Sequence, residues 1–233
     1  MRARPVARRA AAPSLFALLP RERRTIAPGA VHVPDWLNLD EQSRLVDACR
    51  AWAKSPAPMS AIAMPRGGVT SVKTVCLGWQ WVPYRYSRFA ENTDGAPVKP
   101  FPNWLAALGR RAVGDAYADP EASRAYQPDA ALVNYYDEQA RLGLHRDDDE
   151  RADAPVVSLS LGDSCIFRFG NAATRGRPHV DIELRSGDLV VFGGRSRFAY
   201  HGVPRILPGT ADPTLGLTGG RLNITLRMTG LTN

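Results

Sequence analysis

From residue 130 onward the chain divides into short segments of strand-like composition, and the last of them alternates without a fault. Arg221, Asn223, Thr225 and Arg227 are polar, while Leu222, Ile224, Leu226 and Met228 are apolar. Successive side chains of a strand point to opposite faces, so one face here is greasy and the other carries two guanidinium groups and an amide. Two settings satisfy such a strand. Its polar face is either solvated or turned into a barrel, where it can bind carboxylates. Asn134 and Tyr136 repeat the pattern opposite Val133 and Tyr135. Strands are expected near 130–136, 141–146, 156–161, 164–169, 179–184, 188–193, 197–202 and 221–229. Gly162-Asp163, Ser186-Gly187 and the loop from Pro208 to Gly220 separate them. Many short strands with regular turns predict a sandwich or barrel.

The first half reads differently. Asn38 and Glu41 have capping-box spacing, and Leu45, Val46, Cys49, Trp52 and Ala53 recur at helical intervals, predicting a helix over 39–54. A second helix is expected near 102–117, with Trp104, Leu105, Leu108 and Ala112 on one side. Residues 59–88 look hairpin-rich, with Gly67-Gly68 as a turn and aromatics at Trp79, Trp81, Tyr84 and Tyr86. The expected class is therefore mainly β with flanking helices (α+β), the helices packed on one outer face.

At 233 residues the chain suits one substantial core. The net charge of +7 suggests a nucleic-acid footprint, but it is unevenly placed. Residues 1–24 carry seven arginines and one glutamate, so the remainder is nearly neutral and any basic surface must be local. Residues 1–13 read as a disordered basic leader, and 14–233 as a single domain. No apolar run approaches the roughly 20 residues of a membrane span. Three scattered cysteines (Cys49, Cys76, Cys165) argue against a disulfide framework and fit a reducing, cytoplasmic setting.

His145-Arg146-Asp147 is followed 56 residues later by His201. Positions i and i+2 of a strand face the same way, so His145 and Asp147 can reach one metal, with His201 arriving from another strand. Two histidines and a carboxylate that leave open positions suit non-haem Fe(II) oxygenases. A nearby arginine offers a fork of donors to a dicarboxylate co-substrate. The alternative for any one histidine is a satisfied core residue, and His32 and His179 are read that way.

The segments Tyr126-Gln127-Pro128-Asp129-Ala130, Asn134-Tyr135-Tyr136, Leu144-His145-Arg146-Asp147-Asp148-Asp149-Glu150, Ile166-Phe167-Arg168-Phe169-Gly170 and Tyr200-His201-Gly202, with Arg221-x-Asn223-x-Thr225-x-Arg227, resemble the AlkB family of DNA and RNA dealkylases. The resemblance runs from about Ser14 to Met228. It implies a double-stranded β-helix (jelly roll) core over about 126–229, a nucleotide-recognition lid over about 59–90, and an Fe(II)- and 2-oxoglutarate-dependent dioxygenase using O2. By position it makes His145, Asp147 and His201 the iron ligands. It assigns Asn134, Tyr136, Arg221, Asn223 and Arg227 to 2-oxoglutarate.

The resemblance also sets Asp149 facing the alkylated base; by itself the residue reads as one of several acids on a solvated turn. A carboxylate there favours cationic 1-methyladenine and 3-methylcytosine over neutral bases. Leu77-Gly78-Trp79 matches the start of the lid, so Trp79, Tyr84 and Tyr86 would stack on or border a flipped base. Trp81 fits stacking and lid packing equally. The family's substrate-contacting arginine falls at Thr174, leaving Arg175 or Arg177 to serve. Arg66, Lys73, Arg85, Arg88, Arg110, Arg111 and Arg146 are candidate phosphate contacts. The implied activity is oxidative demethylation of N-alkylated bases in DNA, single-stranded or flipped, by a monomer that releases formaldehyde. RNA modification and small-molecule hydroxylation are the alternatives.

Overall fold

The structure, a computed structural model, describes residues 21–65 and 67–232. The leader expected at 1–13, the start of the domain at Ser14 and the candidate contact Arg66 lie outside the described residues.

Eight strands make the central framework: β7 (Ala130–Tyr136), β8 (Leu142–His145), β9 (Val156–Gly162), β10 (Ser164–Phe169), β11 (Val180–Leu184), β12 (Leu189–Phe192), β13 (His201–Leu207) and β14 (Arg221–Arg227). They divide four and four. β12-β9-β14-β7 run in that order through the larger sheet, and β11-β10-β13-β8 form the smaller one. Successive strands mostly alternate between the two sheets, which makes a double-stranded β-helix. Two hairpins lengthen the larger sheet: β1 (Arg24–Ala27) with β2 (Ala30–Val33) joins at β12, and β3 (Ser60–Ala63) with β4 (Val69–Leu77) joins at β7.

Two cores result. Leu222, Ile224 and Leu226 of β14 face a layer of helices, α1 (Leu39–Trp52) and α2 (Asn103–Tyr117), and pack with Leu45, Val46, Leu105 and Val113. The second core lies between the sheets and contains Phe167, Phe169, Phe192 and Ile206. Burying each large apolar side chain contributes roughly 1.5–3 kcal/mol. The α1 cap forms as expected: the Glu41 amide donates to Asn38 Oδ1 at 2.9 Å, and the Asn38 amide donates to Glu41 Oε2 at 3.0 Å. On α2 the buried stripe is Leu105, Gly109, Ala112, Val113 and Ala116, whereas Trp104 is half exposed and stacks on Trp52. A short helix α3 (Pro120–Ala125), capped by Asp119, follows.

Three expectations need correction. The strand placed at 197–202 begins at His201, because Gly194–Ser196 forms a 3-10 turn first. His179 is half-buried on the rim, 4.0 Å from Asp181, not in a core. The segment over 59–90 is not one separate lid: β3 and β4 belong to the larger sheet, and only the hairpin β5 (Gln80–Val82) with β6 (Arg85–Ser87) stands apart.

Candidate metal centre and cavity

His145 ends β8 and His201 begins β13, and the two residues are register partners in adjacent strands. Asp147 follows two residues beyond His145. The ligand atoms of all three lie within 4.8 Å of one another. His145 Nε2 is 3.6 Å from Asp147 Oδ1, and His201 Nε2 is 3.6 Å from Asp147 Oδ2. The Nδ1 atoms of the two rings lie 2.9 Å from the carbonyls of Gly143 and Ala199 respectively. A carbonyl can only accept, so each Nδ1 carries a proton and each Nε2 is the ring atom left to face a metal.

Three electron-pair donors thus face one point. Asp147 Oδ2 is buried without a hydrogen-bond partner. Burial, then the neighbouring His145, lowers the His201 pKa to about 4, so this ring is neutral near neutral pH. Neutral imidazoles with a carboxylate are the donor set Fe(II) accepts, and these residues fit it. Gly202 lets the strands meet: a Cβ there would sit 2.6 Å from the Leu142 carbonyl oxygen.

A cavity of about 520 Å³ opens beside the triad, between the sheets. Its floor is a polar belt across four strands. Thr74 donates to Asn134 Oδ1 at 2.8 Å, Asn134 donates to Asn223 Oδ1 at 3.3 Å, and Asn223 donates to Ser158 Oγ at 2.8 Å. The polar face of β14 is therefore turned inward, as the barrel alternative required. Arg221 is 2 % exposed and donates to Ser160 Oγ at 3.0 Å, with Nε and Nη1 unpartnered. Arg227 lies beside the triad: Nη2 is 2.6 Å from Asp147 Oδ1, and Nη1 is 2.8 Å from Glu150 Oε1. Tyr136, 1 % exposed, also lines the space.

In sequence Glu150 is one more acid of the turn after Asp147, yet its side chain is fully buried. It accepts from Arg227, from Arg197 Nη2 at 2.9 Å and from the Tyr86 hydroxyl. Burial alone raises the Glu150 pKa, but Arg227 foremost outweighs it and the net direction is down. Arg197 Nη1 also donates to the Asp147 carbonyl at 2.5 Å. Local pattern carries no sign of Glu150 or Arg197. Ser158 and Ser160 did carry one, since they alternate with Val157, Leu159 and Leu161.

Among the expected substrate residues, Tyr84, Asp149 and Arg175 line the cavity, and Arg177 does not. Trp79 lies elsewhere. Its Nε1 donates to Asp129 Oδ2 at 3.2 Å, Arg88 covers its ring at 3.5 Å, and it borders a second groove. Tyr86 sits beneath the site on Glu150 and Arg227 and does not border the cavity. The tryptophan that meets the cavity is Trp81. Among the described candidate phosphate contacts only Arg146 lines it. Arg85 and Arg111 are paired with Glu91 and Glu41.

A jelly roll with two histidines and a carboxylate between its sheets, and inward arginines alongside, defines a non-haem Fe(II) oxygenase. The sequence model of the 2OG-Fe(II) oxygenase superfamily matches residues 29–227. An alpha-ketoglutarate-dependent dioxygenase AlkB homolog of Caulobacter vibrioides is 39% identical over 210 residues, covering 87% of this chain and 89% of the relative. The DNA N(6)-methyladenine demethylase ALKBH1D of Arabidopsis thaliana is 34% identical over 226 residues, 88% of this chain but 50% of the relative, so the chain spans about half that protein's length. The solved structure of OsALKBH1 superposes with a TM-score of 0.78 at 31% identity, covering 89% of this chain and 100% of the other. The chain belongs to the AlkB family of 2OG-Fe(II) oxygenases. It is an Fe(II)-dependent dioxygenase that takes 2-oxoglutarate and O2 as co-substrates. No described helix is long and apolar enough to cross a membrane.

Proposed function

We propose that this enzyme oxidatively dealkylates N-alkylated bases of the 1-methyladenine and 3-methylcytosine type in DNA, with residues 14–233 acting as one domain. The observation that carries the reading is Asp149. Its carboxylate lines the same cavity as the metal triad, beside Asp148 and the aromatic rings of Trp81 and Tyr84. A carboxylate beside a reacting base favours a ring that bears positive charge, which is the property N-alkylation confers on these bases.

His145, Asp147 and His201 would hold the iron. Arg221 offers two buried, unpartnered guanidinium nitrogens to the far carboxylate of 2-oxoglutarate, with Tyr136 beside it. Arg227, next to Asp147, and the amides of Asn134 and Asn223 serve the end nearer the metal. With Fe(II), 2-oxoglutarate and O2 bound, the chemistry supplied is hydroxylation of the N-alkyl carbon coupled to decarboxylation of 2-oxoglutarate to succinate. An N-hydroxymethyl base then breaks its C–N bond to release formaldehyde and restore the base. Phe167, Phe192 and Val203 keep the pocket apolar around the reacting carbon. The base must leave its stack to enter, at a cost of a few kcal/mol that is least for damaged or single-stranded DNA.

The test is formaldehyde and succinate release from an oligonucleotide carrying one 3-methylcytosine, with and without added Fe(II) and 2-oxoglutarate. Release that needs both supports the proposal, and competition by methylated tRNA ranks the nucleic acids. Succinate without formaldehyde overturns the base assignment and leaves tRNA modification and small-molecule hydroxylation as the readings.

A further inference from the structure

Trp81 and Tyr86 are register partners across the β5–β6 hairpin, so their rings leave the same face of it. Each reaches one of two successive acids: Tyr86 donates to Glu150, and Trp81 Nε1 donates to Asp149 Oδ2 at 2.7 Å. The hairpin is thereby docked on the segment that begins at the metal ligands. The two bonds differ in setting. Glu150 is fully buried among arginines, whereas Asp149 lines the cavity, and Trp81 lines it with Asp149. Trp81 supplies the only side-chain donor that Asp149 meets among the described residues.

An aspartate carboxylate turns freely about its last bond unless something holds it. An indole N–H on Oδ2 fixes that plane and leaves Oδ1 as the acceptor for a substrate. The half-buried ring of Trp81 meanwhile offers an aromatic wall at a cavity from which Trp79 is turned away. We propose that Trp81 determines lesion specificity, its N–H positioning Asp149 against the cationic base and its ring stacking on that base. The inference rests on the dealkylase reading above.

The experiment measures Kd by fluorescence anisotropy, using the full chain loaded with Fe(II) and 2-oxoglutarate under anaerobic conditions, where no turnover occurs. The probes are single-stranded oligonucleotides carrying 3-methylcytosine, which is cationic, or 3-methylthymine, which is neutral. The readout is the ratio of the two Kd values. A general loss of folded protein scales both and leaves the ratio untouched. Trp81→Phe keeps a ring and removes the N–H, and the expected result is a ratio at least about fivefold lower, since hydrogen bonds to charged groups are among the stronger ones. Asp149→Asn lowers it as well, and adding Trp81→Phe to that variant lowers it no further. An unchanged ratio in Trp81→Phe, or an additive loss in the double variant, overturns the inference. A wild-type ratio near one overturns the assignment of Asp149 together with it.

Discussion

Replacing Glu150 with glutamine tests whether the buried charges around the triad are a balanced set. Asp147 and Glu150 supply two negative charges, and Arg197 and Arg227 two positive ones, with all four side chains 7 % exposed or less. Glu150 makes two charge-assisted contacts, 2.8 Å to Arg227 and 2.9 Å to Arg197. Each such bond contributes about 1.5–3 kcal/mol. Glutamine keeps one acceptor and turns an NH2 group toward a guanidinium, so one contact becomes donor against donor. Removing one partner of a buried ion pair costs roughly 3–5 kcal/mol, because the remaining charge stays dehydrated. The Glu150→Gln chain is therefore expected to lose about 3–5 kcal/mol of the roughly 5–15 kcal/mol typical of a domain. Urea unfolding followed by tryptophan fluorescence measures this, with the slope m checked for constancy. A loss below about 1 kcal/mol at constant m, the scale of an exposed pair, would falsify the picture of a dehydrated four-charge cluster.

Three further outcomes follow from the same structure. Gly202→Ala should push the strand bearing His145 away from the one bearing His201, because the new Cβ falls 2.6 Å from the Leu142 carbonyl oxygen. Mn(II) affinity, read by EPR in the absence of O2, is expected to fall about tenfold or more, and an unchanged affinity means the strands yield without moving the ligands. Arg221→Met should raise KM for 2-oxoglutarate by about tenfold or more with kcat little changed, since the group binds far from the reacting carbon; a fall in kcat alone would place Arg221 at the chemistry instead. Asp188 provides the pH dependence. Burial raises its pKa, but hydrogen bonds from His32, Arg21 and the Arg185 and Asp35 amides outweigh this and hold it at about 2 against an ordinary 3.8. A depressed carboxyl pKa stabilises the fold above the unfolded value and loses that contribution as pH falls through the folded one. About 2 kcal/mol should therefore disappear between pH 4 and pH 2 in the wild type relative to Asp188→Asn, and parallel stability profiles for the two chains would refute it.

Some of this molecule is written in local pattern. The alternation of 221–228 placed apolar residues on one face of a strand and polar ones on the other, and in the fold those faces meet the helices and the cavity. The Asn38–Glu41 spacing set the start of α1, and the strand at 164–169 appears at its expected bounds. The triad was legible because i and i+2 share a face and because a second histidine stood at a strand end. These are consequences of fixed backbone periods, which act over a few residues and need no knowledge of the rest of the chain.

What tertiary structure decided is where the chain path breaks those periods or brings distant segments together. Trp79 and Trp81 are two residues apart and would share a face in an unbroken strand. Gly78 takes a positive φ of 75° and β5 starts only at Gln80, so the two rings part, Trp79 toward Asp129 and Trp81 toward Asp149. The 3-10 turn at Gly194–Ser196 delays β13 and buries Arg197. Glu150, indistinguishable in sequence from the acids before it, becomes a buried counter-ion only because Arg197 and Arg227 arrive from 47 and 77 residues away. Burial is a property of the assembled core, so local sequence set the direction of side chains along each strand, and the folded chain alone chose which charges lost their water.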